Sequence, residues 1–184
     1  MASSSEDCSS GDELPTPIPD VPAKTNTTTK APPLTIPPPS VSCVLEGTEV
    51  YTPRGYIRIE TLKVGDTVVS DFGKICRIAK IGRWVETYET HPRNESKIVY
   101  KLPKGKYRAQ SDVFLTHYHR FLDPVQWKLR LPYIAGLEVA TPEEIVQPPA
   151  HTYVLYHIRL ENIEDNLVVN GGCVIESWKH DDHT

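Results

Sequence analysis

A cysteine stands at the point where the composition of this chain changes. Cys43 follows 42 residues rich in proline, serine and threonine, and it opens the stretch CVLEGTEVYTPRGYIRIETLKVGDTVVS. A thiol attacks a carbonyl carbon as the thiolate, so it needs a nearby base or a lowered pKa. At this boundary Cys43 could be a chance occurrence, a disulfide partner, or a nucleophile directed at the peptide bond between Ser42 and itself.

Histidine is the usual proton donor or acceptor near neutral pH. Of the seven histidines, His117 and His119 lie in LTHYHRFL and His157 lies in LYHIRL, within or beside apolar segments. A buried histidine needs a hydrogen-bond partner or a chemical task, and the residues alone leave both readings open. The His-x-His pair also suggests a metal, but no third ligand follows at a suitable spacing, so neither a metal nor a cofactor is predicted.

Composition excludes several classes of function. The formal net charge is -4, and from Cys43 onward the chain carries 18 basic against 19 acidic residues, so no basic face for nucleic acid is expected. The amino terminus lacks the apolar run of a signal peptide, and no stretch of about 18 apolar residues predicts a membrane span. The localisation is therefore unknown, with an intracellular setting as the default.

The first 42 residues contain nine of the 17 prolines and few large apolar groups, which predicts a disordered segment. Within it, residues 31–40 (APPLTIPPPS) could form polyproline stretches that bind an aromatic groove in a partner. A simple spacer is the favoured explanation of this segment.

From Cys43 onward the pattern predicts an all-β domain of many short strands separated by turns. The stretch ICRIAKIGRWVETYE predicts a long strand or a bent pair, with Gly82 as a candidate bulge. SKIVYKLPKGKYRAQ predicts a hairpin around PKGK, and TPEEIVQ predicts one helical turn. Asn170 is expected to tolerate a left-handed conformation in the turn of NLVVNGGCVIES.

Three separated blocks resemble the Hint domains, the self-processing fold shared by Hedgehog proteins and inteins. Cys43, Gly47-Thr48, Gly55 and the VGD triplet at 64–66 match the opening block. LTHYH supplies a T-x-x-H block, and YHIRLENIEDNLVVNGGCVIES is similar to the closing strands. The resemblance covers Cys43 to Ser177 and is nearest to the intein-like domains of bacterial and viral proteins. It implies a Hint-type horseshoe at 43–178, with a carboxy-terminal tail at 179–184.

The resemblance also implies a mechanism. Cys43 would attack the carbonyl carbon of Ser42 in an N–S acyl shift, which leaves a thioester, and the substrate would be the chain's own amino-terminal segment. His119 would protonate the departing nitrogen and Thr116 would orient the peptide. His157 would deprotonate or position the thiol, whereas His117 is expected to point away. The thioester would then pass to water or a small nucleophile, as in a single-turnover cysteine autoprotease.

Full protein splicing is not expected, because the closing block ends in Glu176-Ser177-Trp178 and has no asparagine to cyclise. Cys173, in the last strand, is a candidate acyl acceptor, although a small buried apolar role is favoured. The alternative function is a catalytically silent Hint-like β-domain that serves as a structural or protein-binding module. A cysteine hydrolase acting on other chains is the weakest hypothesis, since the chain itself is the obvious substrate.

Overall fold

The structure, a computed structural model, describes residues 42–146 and 151–179. The predictions for residues 1–41, including the proline-rich part at 31–40, lie outside the described residues. So does the greater part of the predicted tail at 179–184. Thr152 resumes the described strands after the gap at 147–150.

Antiparallel β-strands dominate the described residues, which confirms the all-β prediction. The strands are β1 Val44–Leu45, β2 Glu49–Thr52, β3 Gly55–Arg58, β4 Thr67–Val69, β5 Ile75–Thr87, β6 Val99–Leu102, β7 Val113–Thr116, β8 Phe121–Asp123, β9 Lys128–Arg130, β10 Glu138–Val139, β11 Thr152–Leu160, β12 Leu167–Val169 and β13 Cys173–Ile175. They form one sheet in the order β10-β6-β7-β1-β11-β5-β4 and a second in the order β3-β2-β12-β13-β8-β9.

Helical structure within the described residues is confined to short turns. The predicted helical turn is α1, Pro142–Ile145, and 3-10 turns span Ile59–Thr61 and Glu95–Lys97. Thr141 and Glu144 form a capping box that satisfies backbone groups at the start of α1. None of these helices has the length or apolarity needed to cross a membrane.

The short strand β1 lies in the middle of the larger sheet and is paired on both sides. Val44 lies opposite Leu115 of β7 and opposite Tyr156 of β11. Both partners are distant in sequence, so β1 is held by long-range pairing and not by a local hairpin. This placement puts Cys43, the residue immediately before β1, between two strands.

Two apolar clusters lie on opposite faces of this sheet because side chains alternate along each strand. Val44 belongs to the larger cluster, with Leu115, Tyr156 and Ile158. The smaller cluster, called here the thiol cluster, consists of Cys43, Leu45, Trp84, Val99, Ala140, Ile145, Tyr153 and Leu155. The nucleophile candidate is therefore part of a core and not of an exposed surface.

Two local predictions were wrong. The strand that returns along β6 is β7, which starts at Val113, and YRAQ lies in the intervening loop, where Gly105 donates to the Ala109 carbonyl at 2.8 Å. The irregularity in β5 is at Ala79, where the register with β11 shifts, and not at Gly82. A Cβ on Gly82 would lie 2.3 Å from Cη2 of Trp84, so glycine there leaves room for the indole ring.

Candidate active site

The peptide nitrogen of Cys43 is held by the side chain of Thr116. Oγ1 of Thr116 accepts a hydrogen bond from the Cys43 N–H at 2.8 Å and donates one to the Cys43 carbonyl at 3.3 Å. The Thr116 N–H donates to the same carbonyl at 2.9 Å. The amide of the Ser42–Cys43 bond therefore has a fixed, buried partner on β7.

A tight turn explains the T-x-x-H spacing. The N–H of His119 donates to the carbonyl of Thr116 at 3.0 Å, the i to i+3 bond of a β-turn. This turn ends β7 and brings residue 119 back toward residue 116. On the other side of the turn, Oγ of Ser42 donates to the carbonyl of Tyr118 at 3.1 Å. The turn thus lies against both residues of the candidate scissile bond.

The ring of His119 is enclosed and uncharged at neutral pH. It is 2% exposed, and burial lowers its pKa to about 4, against an opposing effect of the Cys43 and Glu176 backbones. Its Nε2 lies 3.0 Å from the carbonyl oxygen of Glu176, which can only accept a hydrogen bond. Nε2 therefore carries the ring proton, and Nδ1 is the basic nitrogen.

The thiol of Cys43 is protonated in this environment. The residue is 2% exposed, and burial, followed by the negative charge of Glu86, raises its pKa well above the ordinary value. Within residues 42–146 and 151–179, neither a cation nor a helix terminus acts to lower the pKa of this thiol. A nucleophilic attack by this sulfur would need a base to remove the proton.

His157 lies on β11, opposite Cys43. Val44 pairs with Tyr156 and Leu45 with Leu155, so the same register places His157 opposite Cys43 and on the same face of the sheet. The rings of His157 and His119 are 6.0 Å apart between centroids. Cys43 thus has Thr116 on one flanking strand and His157 on the other.

The segment after β13 returns to this centre. Besides the Glu176 carbonyl beside His119, the Trp178 N–H donates to the Ile158 carbonyl at 2.9 Å, and Oγ of Ser177 donates to the Asp165 carbonyl at 2.6 Å. The end of the domain therefore lies next to its beginning. No motif in the sequence singled out Trp178.

His117 points into a different environment. Its Nδ1 lies 3.1 Å from the hydroxyl of Tyr100, and its ring stacks on Tyr133 at 4.3 Å with an interplanar angle of 7°. Nε2 faces Glu95 at 3.6 Å. These contacts give His117 a structural role away from Cys43 and separate it from its neighbour His119.

The three described cysteines are free thiols, and each is buried. Cys173 is wholly enclosed in the larger apolar cluster, and burial raises its pKa to about 12, which favours the buried apolar role over acyl acceptance. The Cys76 Sγ donates to Oδ2 of Asp165 at 3.2 Å. Within residues 42–146 and 151–179, no group of three or more histidine, cysteine or acidic side chains converges to hold a metal.

Comparison with known proteins identifies a family. The sequence profile described as Hint domain matches residues 42–182. No curated protein matches the chain. Similar solved structures include the gp41-1 intein, at 14% identity and a TM-score of 0.47 over 76% of this chain and 100% of that one. Others are the MchDnaB-1 intein (10%, 0.45, 71% and 98%) and a bacterial intein-like domain from Clostridium thermocellum (13%, 0.45, 76% and 100%).

Proposed function

The chain belongs to the Hint domain family, and on that basis we propose that it is an autoproteolytic domain that cuts itself between Ser42 and Cys43. The observation that carries the proposal is the 2.8 Å hydrogen bond from the Cys43 N–H to Oγ1 of Thr116. It fixes the nitrogen that must leave, in a buried site where His119 is turned back toward the same peptide.

The first step moves the amino-terminal segment from nitrogen to sulfur. The Sγ of Cys43 forms a bond to the carbonyl carbon of Ser42, and the bond from that carbon to the Cys43 nitrogen breaks. One proton leaves the sulfur and one proton arrives at the nitrogen, so the step consumes no net proton. The products are a thioester and a free α-amino group on Cys43.

The two histidines divide the proton transfers. His157, which the register of β11 places opposite Cys43, accepts the proton of the thiol. His119 is neutral at rest, with Nδ1 as its basic nitrogen, so it must gain a proton before it can give one to the departing amine. Its low pKa makes the protonated ring a strong acid, which suits protonation of a poor leaving group.

The second step releases the segment. Water, or a small nucleophile such as a thiol or an amine, attacks the thioester carbon, and the Cys43 sulfur leaves. Splicing is not part of the proposal, because Ser177 has no side-chain amide that could cyclise. Cys173 is also left out as an acyl acceptor, because its thiol is enclosed in the core.

Intact-mass spectrometry of the freshly expressed full chain tests the reaction. Wild-type protein should yield a fragment that begins at Cys43, and hydroxylamine or an added thiol should accelerate its appearance by cleaving the thioester. Cys43→Ala should leave the chain whole. Cys173→Ala, which also removes a buried thiol, should cleave like the wild type and serves as the matched control.

The histidine assignment has its own test in the same assay. His119→Ala should slow the reaction by about 10²- to 10⁴-fold, the usual contribution of a proton-transfer group. His117→Ala should have little effect on the rate. Equal effects of the two variants would contradict the assignment, and a wild-type chain that stays whole under every treatment would favour the silent-module alternative.

A further inference from the structure

One side chain near the centre has no part in the proposed bond changes. Trp178 is 7% exposed, and its ring lies 4.9 Å from the ring of His157, between centroids. Its backbone N–H donates to the carbonyl of Ile158, the residue next to His157 in β11. The indole is therefore tied to the strand that carries the histidine it contacts.

Strand β5 supports the same indole. Nζ of Lys80 lies 4.5 Å from the centroid of the Trp178 ring, a cation–π contact. Lys80 and Gly82 lie two residues apart and therefore on the same face of β5. Gly82 lies opposite His157. The ring of Trp84 covers Gly82, the residue of β5 that lies opposite His157 in the strand register.

The three residues Glu176, Ser177 and Trp178, called here the clasp, contact both histidines of the centre. The carbonyl of Glu176 faces Nε2 of His119, and the indole of Trp178 packs on His157. Oγ of Ser177, between them, is anchored to the Asp165 carbonyl at 2.6 Å. One short segment thus fixes two rings that belong to different strands.

We propose that Trp178 is a positioning residue for the self-cleavage, acting through His157 and held in place by Lys80. This inference rests on the proposed function. An imidazole on a strand can adopt several ring orientations, and only some direct a nitrogen toward the Cys43 thiol. A rigid ring anchored at its backbone and capped by Lys80 removes that freedom at little entropic cost, because the clasp is already fixed at both ends.

The rate of cleavage in the full chain provides a double-mutant test. Trp178→Ala should slow the appearance of the Cys43 fragment by about 10- to 100-fold, as expected when a catalytic group is misplaced. In a chain that already carries His157→Ala, the same change should add almost nothing. Independent, multiplicative effects of the two substitutions would overturn the proposal.

Graded variants distinguish positioning from simple stabilisation. Trp178→Phe keeps an aromatic ring and should recover most of the rate that Trp178→Ala loses, whereas Trp178→Leu, which is apolar but not aromatic, should not. Lys80→Met retains the length of the side chain without its charge and should give a smaller loss than Trp178→Ala. Equal rates for the Phe and Leu variants would contradict a role of the ring.

A second measurement does not depend on cleavage. In the full chain with Cys43→Ala, which cannot form the thioester, the NMR signals of the His157 ring should be displaced by the ring current of Trp178. Trp178→Leu should remove that displacement and leave the signals of His91, an exposed histidine, unchanged. Unmoved His157 signals would refute the contact and the proposal even if cleavage occurs. Displaced signals, together with a wild-type chain that never cleaves, would confirm the contact between Trp178 and His157 but refute the proposed function, and with it the role of Trp178 in cleavage.

Discussion

At the scale of single residues, the centre holds two groups in their unreactive forms. The Cys43 thiol keeps its proton because burial and Glu86 oppose the thiolate, and the His119 ring is neutral because burial opposes the imidazolium. On the proposed reaction, charge would therefore appear only while sulfur, oxygen and nitrogen change their bonds. An enclosed site of this kind strengthens each polar contact with those atoms.

The low pKa of His119 predicts how stability depends on pH. Above pH 6.5 the residue is neutral in both the folded and the unfolded chain. Between pH 6.5 and about 4 the unfolded chain binds a proton that the folded chain does not, so stability falls as the pH is lowered through this window. The shift corresponds to about 3 kcal/mol of unfolding free energy at its acid end.

Urea denaturation of the Cys43→Ala chain, which lacks the proposed nucleophile, at pH 7.5 and pH 4 measures this dependence. With His119→Gln added, the loss of unfolding free energy between the two pH values should be smaller by about 3 kcal/mol. The other titrating groups are common to both chains and cancel in the comparison. Identical losses in the two chains would show that His119 is not held neutral by its surroundings.

The sequence identified the residues that carry recognisable chemistry but not those that act through packing. Cys43, Thr116 and His119 stand out by type and by the T-x-x-H spacing, and the structure brings them together. Glu86 and Trp178 give no comparable signal. In the sequence, Glu86 is simply a charged residue on a long strand, and Trp178 is simply a tryptophan near the end of a domain. Their positions beside the centre become visible only once the register of distant strands is known.

At the scale of elements, the turn between β12 and β13 joins parts of the chain that are far apart. Asn170 has a φ of 45°, as expected for a residue that tolerates the left-handed region. Its Oδ1 accepts from the N–H of Glu49 at 2.8 Å, and its Nδ2 donates to the carbonyl of Asp112 at 2.7 Å. The turn therefore connects to both β2 and the loop before β7.

Two substitutions of Asn170 separate its conformational role from its hydrogen bonds. Asn170→Gly keeps the left-handed backbone and loses both side-chain bonds, which should cost about 1–3 kcal/mol of unfolding free energy. Asn170→Ala loses the bonds and adds the strain of a positive φ, so it should cost about 1–2 kcal/mol more. Denaturant titration of both variants in the Cys43→Ala chain checks the order, and an alanine variant as stable as the glycine variant would contradict it.

The sequence was a better guide to which segments form strands than to how those strands pair. Alternation in GTEVYT, the β-branched run in TVVS and the apolar run in TYVLYHIRL each mark a strand that the structure contains. The prediction of a hairpin around PKGK was wrong because the loop is longer than four residues. Tyr107 and Arg108 adopt positive φ, and the loop extends up to Asp112. The prediction of a bulge at Gly82 was wrong because this glycine accommodates the ring of Trp84. Trp84 lies two residues further along the same strand, and its ring folds back over Gly82.

At the scale of the whole molecule, the two ends of the domain meet but differ in chemistry. The beginning of the domain carries the thiol of Cys43. The other end carries Ser177, whose hydroxyl donates a hydrogen bond to the Asp165 carbonyl. Time-resolved intact-mass spectrometry of the full chain should therefore find three species: the whole chain, residues 1–42 and residues 43–184. A cut after Ser177, or a product in which flanking segments are joined, would contradict this prediction.

The central position of β1 also sets an order of events in time. Its partners β7 and β11 lie about 70 and 110 residues further along the chain, and the clasp is further still. A nascent chain therefore cannot assemble the centre until the last strands have been synthesised and folded. On the proposed reaction, release of the amino-terminal segment would mark the completion of folding, so a chain that stalls or misfolds would keep that segment attached.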